Sequence, residues 1–203
     1  MRLSATEDVP DDRLAMLASD LRELVQVDVD EARTGYKSVE PPSWIALLER
    51  IPTWAAILGP SAAVFLNELL KEAATDTYRN KAAIGRALAK PVVAPLRAAA
   101  SAITRFRKSR ERTQIQVGVP APDEYFGTRL RLEGQDEDSI AVELALFIKH
   151  AGGIQAVLDD VQRDGKHVIG QITLTLLPDG TMQAQWMDGD AEISTTKFPP
   201  PAP

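Results

Sequence analysis

The sequence predicts an α+β fold: a mixed or antiparallel sheet packed on helices, with a long helical insert over residues 43–111 and a C-terminal β-hairpin. Three observations predict it. Short runs near both ends of the chain alternate apolar and polar residues, the period of a strand with one buried face. The middle, from Pro41 to Asp76, is the most apolar region, and beyond Pro60 it keeps helical spacing. Near the C-terminus, Pro178-Asp179-Gly180 separates the alternating runs Ile172, Leu174, Leu176 and Met182, Ala184, Trp186, which is the pattern of a hairpin.

Taken in order, residues 1–5 alternate and read as a short strand. Asp11 and Asp12 follow Pro10 and suit a helix N-terminus, where carboxylates meet free N–H groups and the positive end of the dipole. Leu14, Leu17, Ala18 and Leu21, with Leu24 or Val25, give that helix one apolar face. Val25, Val27 and Val29 then alternate with Gln26, Asp28 and Asp30, predicting a second strand that Gly35 and Pro41-Pro42 end.

The central stretch invites a membrane reading and resists it. Thr53 to Leu66 carries no charge, but Glu49 and Arg50 precede it, and Pro52 and Pro60 interrupt it. A spanning helix needs about twenty continuous apolar residues, and this run falls short. Beyond Pro60, Ala62, Phe65, Leu66, Leu69, Leu70 and Ala73 face one way, with Asn67, Glu68, Lys71 and Glu72 on the other side. Such a helix hides one face and wets the other. After Pro91 and Pro95 the stripe resumes with Leu96, Ala99, Ala100, Ile103 and Phe106, so residues 43–110 read as helix in three or four pieces.

From Thr113 the period changes. Ile115, Val117 and Val119 alternate as a strand, and Thr128 to Glu133 as another, with Leu130 and Leu132 inward. Asp136 to Asp138 open a helix, IAVELALFIKH, that is apolar on nearly every side except at Glu143. Gly152-Gly153 reads as its stop, with a second short helix carrying Ile154, Val157, Leu158 and Val161. The organisation expected is 1–112 as strand, helix, strand and helical block, and 113–190 as a β-β-α-α-β-β part of the same domain or a second lobe. Residues 191–203 read as a disordered, Pro-rich tail.

Composition narrows the chemistry. The 203 residues are 44% hydrophobic and 26% charged, with no cysteine, so there is no disulfide framework, thiolate metal site or cysteine nucleophile. The acidic opening MRLSATEDVPDD lacks the layout of a secretory signal, and a cytoplasmic location is expected, with membrane association as the alternative. The two histidines, His150 and His167, keep no fixed spacing to a carboxylate or serine. His150 reads as a helix-end residue favoured by the dipole. No GxSxG, HExxH or Walker-type loop is present. Asp136-Glu137-Asp138 reads as a helix start, and Asp159, Asp160 and Asp164 as a solvated helix face. No catalytic, cofactor-binding or metal-binding residue is assigned and no cofactor is expected. Two carboxylates can still meet from anywhere in a fold, which keeps a hydrolase as a third reading.

The net charge of −6 conceals an asymmetry. Between Arg79 and Arg112, ten Lys or Arg stand against one acid, Glu111, and the remainder of the chain is strongly acidic. The run RFRKSRER holds Arg105, Arg107, Lys108, Arg110 and Arg112. Such a run either binds an external anion or docks the protein's own acidic surface. Trp44 and Trp54 bracket the apolar stretch, with Phe65 and Leu69 on its amphipathic helix. These nine residues are the candidate partner or membrane contacts. The first reading is a non-catalytic interaction or adaptor protein that docks a protein partner or a second copy. The alternative is peripheral binding to an anionic membrane through an apolar wedge and a polybasic patch. Nucleic acid ranks last, because Phe106 alone interleaves the basic run and it belongs to the apolar stripe.

Several segments carry a resemblance: MRLSATED with DLRELVQVDV, the small-residue helix SAAVFLNELLKEA, and AAASAITRFRKSRERTQIQV leading to TRLRLEG. These segments amount to 58 of the 203 residues, and their order resembles that of the effector-associated constant components, accessory domains found beside effectors of bacterial conflict systems. The chain differs in adding Asp76–Pro95 between helices and a further hairpin after Gly165, and in carrying Ile103-Thr104-Arg105 where members show Trp-Leu-Arg. The resemblance implies a non-catalytic adaptor and brings no catalytic residues.

Overall fold

A computed structural model describes residues 1–30, 45–49, 93–108, 113–120, 127–163, 169–177, 181–187, 190 and 192–198. Their eight strands form one sheet: β1 (Arg2–Ala5), β2 (Asp28–Val29), β3 (Ile45–Glu49), β4 (Gln114–Pro120), β5 (Gly127–Arg131), β6 (Ile169–Leu176), β7 (Met182–Met187) and β8 (Ile193–Phe198). The spatial order is β2-β1-β3-β4-β5-β6-β7-β8, so strands from both halves of the chain share the sheet. It is mixed: β1/β2, β3/β4 and β5/β6 are parallel, and the remaining neighbours are antiparallel. Parallel neighbours require a crossover, and helices supply it. Helix α1 (Asp11–Arg22) joins β1 to β2, α2 (Ala94–Lys108) leads into β4, and α3 (Glu137–Arg163) joins β5 to β6.

The register explains why the helices form one layer. A single line of paired residues crosses all eight strands as Val29, Leu3, Leu48, Val117, Leu130, Leu174, Ala184 and Thr196. From Leu3 to Ala184 every member is at most 2% exposed. The helices meet this face and touch in the order α1, α2, α3. Fully burying each leucine or valine of this line contributes about 1.5–3 kcal/mol, so the line is a substantial part of the core that the helices complete. The adjacent line on the other face reads Asp28, Arg2, Glu49, Gly118, Arg129, Thr173, Gln185 and Thr195. Alternate residues of a strand point to opposite faces, and that parity separates the two lines.

Local signals account for several elements as expected. In α1, Asp11 and Asp12 occupy the first turn and Leu14, Leu17, Ala18 and Leu21 are buried, although the N-cap position falls on Pro10. In α3, Asp136 accepts from the Ser139 backbone N–H at 2.8 Å and from its hydroxyl at 3.0 Å, a side-chain cap of the first turn. Ile140 through Phe147 are all buried, so this helix is enclosed on every side over these residues, with Glu143 the one charged side chain among them. The hairpin of β6 and β7 pairs Leu174 with Ala184 and Leu176 with Met182, and the Leu177 N–H donates to Thr181 O at 2.8 Å across the turn.

Four expectations are corrected. Residues 43–111 are not helical throughout, because Ile45–Glu49 forms β3 between β1 and β4. The segment IALLE suits a helix locally, but pairing on both edges and burial of Ala46 and Leu48 decide for strand. The described helical part of that block is α2, and residues 50–92 lie outside the described residues. The second strand is shorter than its valine alternation suggests: Leu24 and Val25 N–H groups both donate to Leu21 O, which leaves only Asp28–Val29 paired. Gly152-Gly153 does not stop the helix, since α3 runs unbroken to Arg163. His150 therefore lies inside the helix and not at its end. The tail is also ordered in part, with Ile193–Phe198 pairing along β7 as β8.

The last two corrections share one cause. A Cβ on Gly153 would stand 2.9 Å from Phe198 Cδ1, so the glycine is where β8 sets its aromatic ring against α3. Glycine costs about 1 kcal/mol inside a helix relative to alanine, and here it admits a buried ring. Gly153→Val is expected to lower stability by about 1–3 kcal/mol in urea titration. In a Phe198→Ala background that cost should shrink by at least about 0.5 kcal/mol. Equal costs in both backgrounds would show that the ring is not what the glycine accommodates.

Candidate functional site

The basic end of α2 is the sharpest charge feature that the structure describes. The helix buries Leu96, Ala99, Ala100, Ala102, Ile103, Thr104 and Phe106, and the Thr104 hydroxyl donates to Ala100 O at 2.8 Å. This burial turns the arginines toward the flanking helices. Arg97 reaches Glu137 at 3.1 Å and Asp138 at 3.4 Å, at the N-terminal turn of α3. Arg105 pairs with Asp20 of α1 at 3.1 Å. Arg107 donates to the carbonyl oxygen of Gly134, in the loop that enters α3. That glycine's N–H donates in turn to Oε2 of the buried Glu143 at 3.1 Å. A Cβ at Gly134 would meet Ile140 N at 2.8 Å and Ser139 Cβ at 2.9 Å, so the loop closes on the helix too tightly for a side chain.

Of the residues singled out by sequence, Arg105 and Arg107 thus clasp the protein's own elements, and Lys108 is exposed. Trp44, Trp54, Phe65, Leu69, Arg110 and Arg112 lie outside the described residues, as does His167. His150 is buried, its ring 6.2 Å from that of Phe198 and tilted 40° to it. Among the described residues no group of three or more His, Asp or Glu is placed to hold a metal ion, and no helix is long and apolar enough to cross a membrane. Asp20 and Gly134 were not legible as partners of the basic run, because Asp20 lies on another helix far away in sequence and Gly134, 27 residues from Arg107, acts through its backbone carbonyl.

Two margins of the sheet present recognisable surface. On one side, β8 pairs among the described residues only with β7, and Lys197 is the single charge in its six residues. Beside this edge Met187 and Ile193 face each other in register, 41% and 63% exposed, on the side away from the helices. They are the two large hydrophobic residues that stand out as exposed among the described residues. The other exposed residues described on that face are polar, among them Arg131, Thr173, Thr175, Gln185, Thr195 and Lys197.

On the opposite side, β2 is flanked by two grooves. One of about 450 Å³ lies toward α1 over Leu14, Ala15, Ala18 and Val29, with Asp11 and Arg22 on its rim. The other, of about 310 Å³, lies on the far side of the strand against Met1, Arg2 and Asp28. Asp30 lines both and is held by Arg2, whose Nη2 and Nε stand 2.5 and 3.1 Å from Oδ2.

The Gly134 loop yields a stability ordering. Gly134→Ala forces backbone to move and is expected to cost about 1–3 kcal/mol. Arg105→Ala removes a pair whose arginine is 60% exposed, and solvent screening holds its cost below about 1 kcal/mol. Urea titration of both variants checks this, and the reverse order would contradict the account. No family model, curated protein or solved structure matches the chain.

Proposed function

We propose that this chain is a non-catalytic interaction protein, an adaptor that docks another polypeptide through exposed sheet surface. One observation carries the reading: an edge strand of six residues, guarded by one lysine, lies beside the exposed Met187–Ile193 pair. Monomeric proteins blunt such edges with charges, prolines or bulges, because an unpaired strand invites another. Here the edge is lightly guarded and carries an apolar pair, the combination that strand addition uses for affinity and specificity. The resemblance to effector-associated constant components supports the same reading and suggests an accessory component of a bacterial conflict or signalling system, acting in the cytoplasm.

Photo-crosslinking tests it. A photoreactive residue placed at Ile193 is expected to trap one polypeptide of discrete mass in the cell of origin, or a second copy at twice the 22.1 kDa of the chain. The same group at the exposed Asp12 serves as control. Met187→Lys should reduce the Ile193 adduct several-fold. No adduct above the control in cells or with purified protein would overturn the proposal.

A further inference from the structure

Sulfur chemistry in this chain falls to its thioethers, because the 203 residues include four methionines and no cysteine. The fold treats the four unequally. Met182 is buried in the core, paired with Leu176 of β6 and Phe198 of β8. Met1 and Met16 are half-buried. Met187 alone is exposed, at 41% of its surface. Parity along β7 explains the contrast: Met182 and Met187 are an odd number of residues apart, so they stand on opposite faces of the sheet.

The position of Met187 makes its sulfur consequential. Directly opposite on β8 stands Ile193, and cross-strand partners on one face have Cβ atoms about 4.5–5.5 Å apart. The neighbouring pair on the same face is Gln185 and Thr195, both polar and exposed. The thioether is thus half of a two-residue apolar island with polar residues beside it. Oxidation to the sulfoxide keeps the length of the side chain but turns its apolar end into a polar, well-solvated S=O group. Ile193 is then left as the one apolar member of the pair.

We propose that Met187 is a reversible oxidation site, at which a peroxide converts the β7–β8 docking surface from apolar to polar and withholds it from its partner. A lone pair of the Met187 sulfur attacks a peroxide oxygen and the O–O bond breaks. One oxygen passes to Sδ, the sulfur is oxidised by two electrons, and hydrogen peroxide is reduced to water. Two thiols of a methionine sulfoxide reductase reverse the step: they become a disulfide, and the oxygen leaves as water. A docked partner covers the sulfur, so the oxidant acts on the free chain and holds it free. This inference rests on the reading of the chain as an adaptor that docks through Met187 and Ile193, and it adds the regulation of that surface.

The test treats the full chain with hydrogen peroxide and follows each methionine by peptide mass spectrometry. Met187 is expected to gain one oxygen faster than Met1 and Met16, and at least tenfold faster than Met182. In guanidinium chloride, which unfolds the chain, the four rates should converge. A photoreactive residue at the exposed Thr195, on the same face, then reads docking while leaving the Met187–Ile193 pair intact. At the dose that oxidises Met187 and spares Met182, the adduct with the polypeptide trapped at Ile193 should fall at least threefold, after the peroxide has been removed with catalase. Methionine sulfoxide reductase with dithiothreitol should restore it. Met187→Leu, which has no thioether there, should give the same adduct yield before and after peroxide.

Another methionine oxidising first, an adduct unaffected by oxidation of Met187, or an equal loss in Met187→Leu overturns the inference and leaves the adaptor reading standing. No adduct from the untreated chain at either Thr195 or Ile193 overturns the adaptor reading, and the switch with it.

Discussion

Everything described in this protein hangs on one-sided burial of an eight-stranded sheet. The line from Val29 through Leu3, Leu48, Val117, Leu130, Leu174 and Ala184 to Thr196 presents aliphatic side chains to three helices. A shift of one residue in any strand would exchange that line for the polar one behind it, so register and core composition enforce each other. The same constraint shapes the helices. Each has to cover sheet on one side, and α3 also meets α2, which is why Ile140 through Phe147 are buried on every side.

Electrostatics then secures what the core arranges. Taken alone, the basic stripe of α2 looks outward-directed. In the fold it joins three elements: Arg105 to α1, Arg97 to the first turn of α3, and Arg107 to the loop that precedes it. Exposed pairs of this kind contribute modestly. The buried Glu143 and the close approach at Gly134 define the loop more tightly, since a carboxylate out of water has to be satisfied by fixed donors. The protein spends part of its cationic segment on itself, and among the described residues the exposed apolar pair and the grooves lie at the sheet margins.

Those margins differ in kind. At β8 the surface is a flat edge with an apolar pair beside it. At β2 it is a short strand between two grooves, with opposite charges at the ends of one of them.

The sequence by itself determined the periods. Alternation identified β1, β4, β5 and the β6–β7 hairpin, and 3.6-residue spacing identified the buried face of α1, because side-chain direction is settled within a few residues. It also placed Asp136 correctly at the start of α3. Tertiary structure decided the rest. Ile45–Glu49 became a strand only because β1 and β4 pair with both of its edges, and Ile193–Phe198 became one because β7 and the Gly153 site receive it. Asp20 as the partner of Arg105, and Gly134 as that of Arg107, likewise depend on which helices lie side by side. Local pattern says which way a side chain faces, but what it meets is set by residues distant in the chain, and no local period records them.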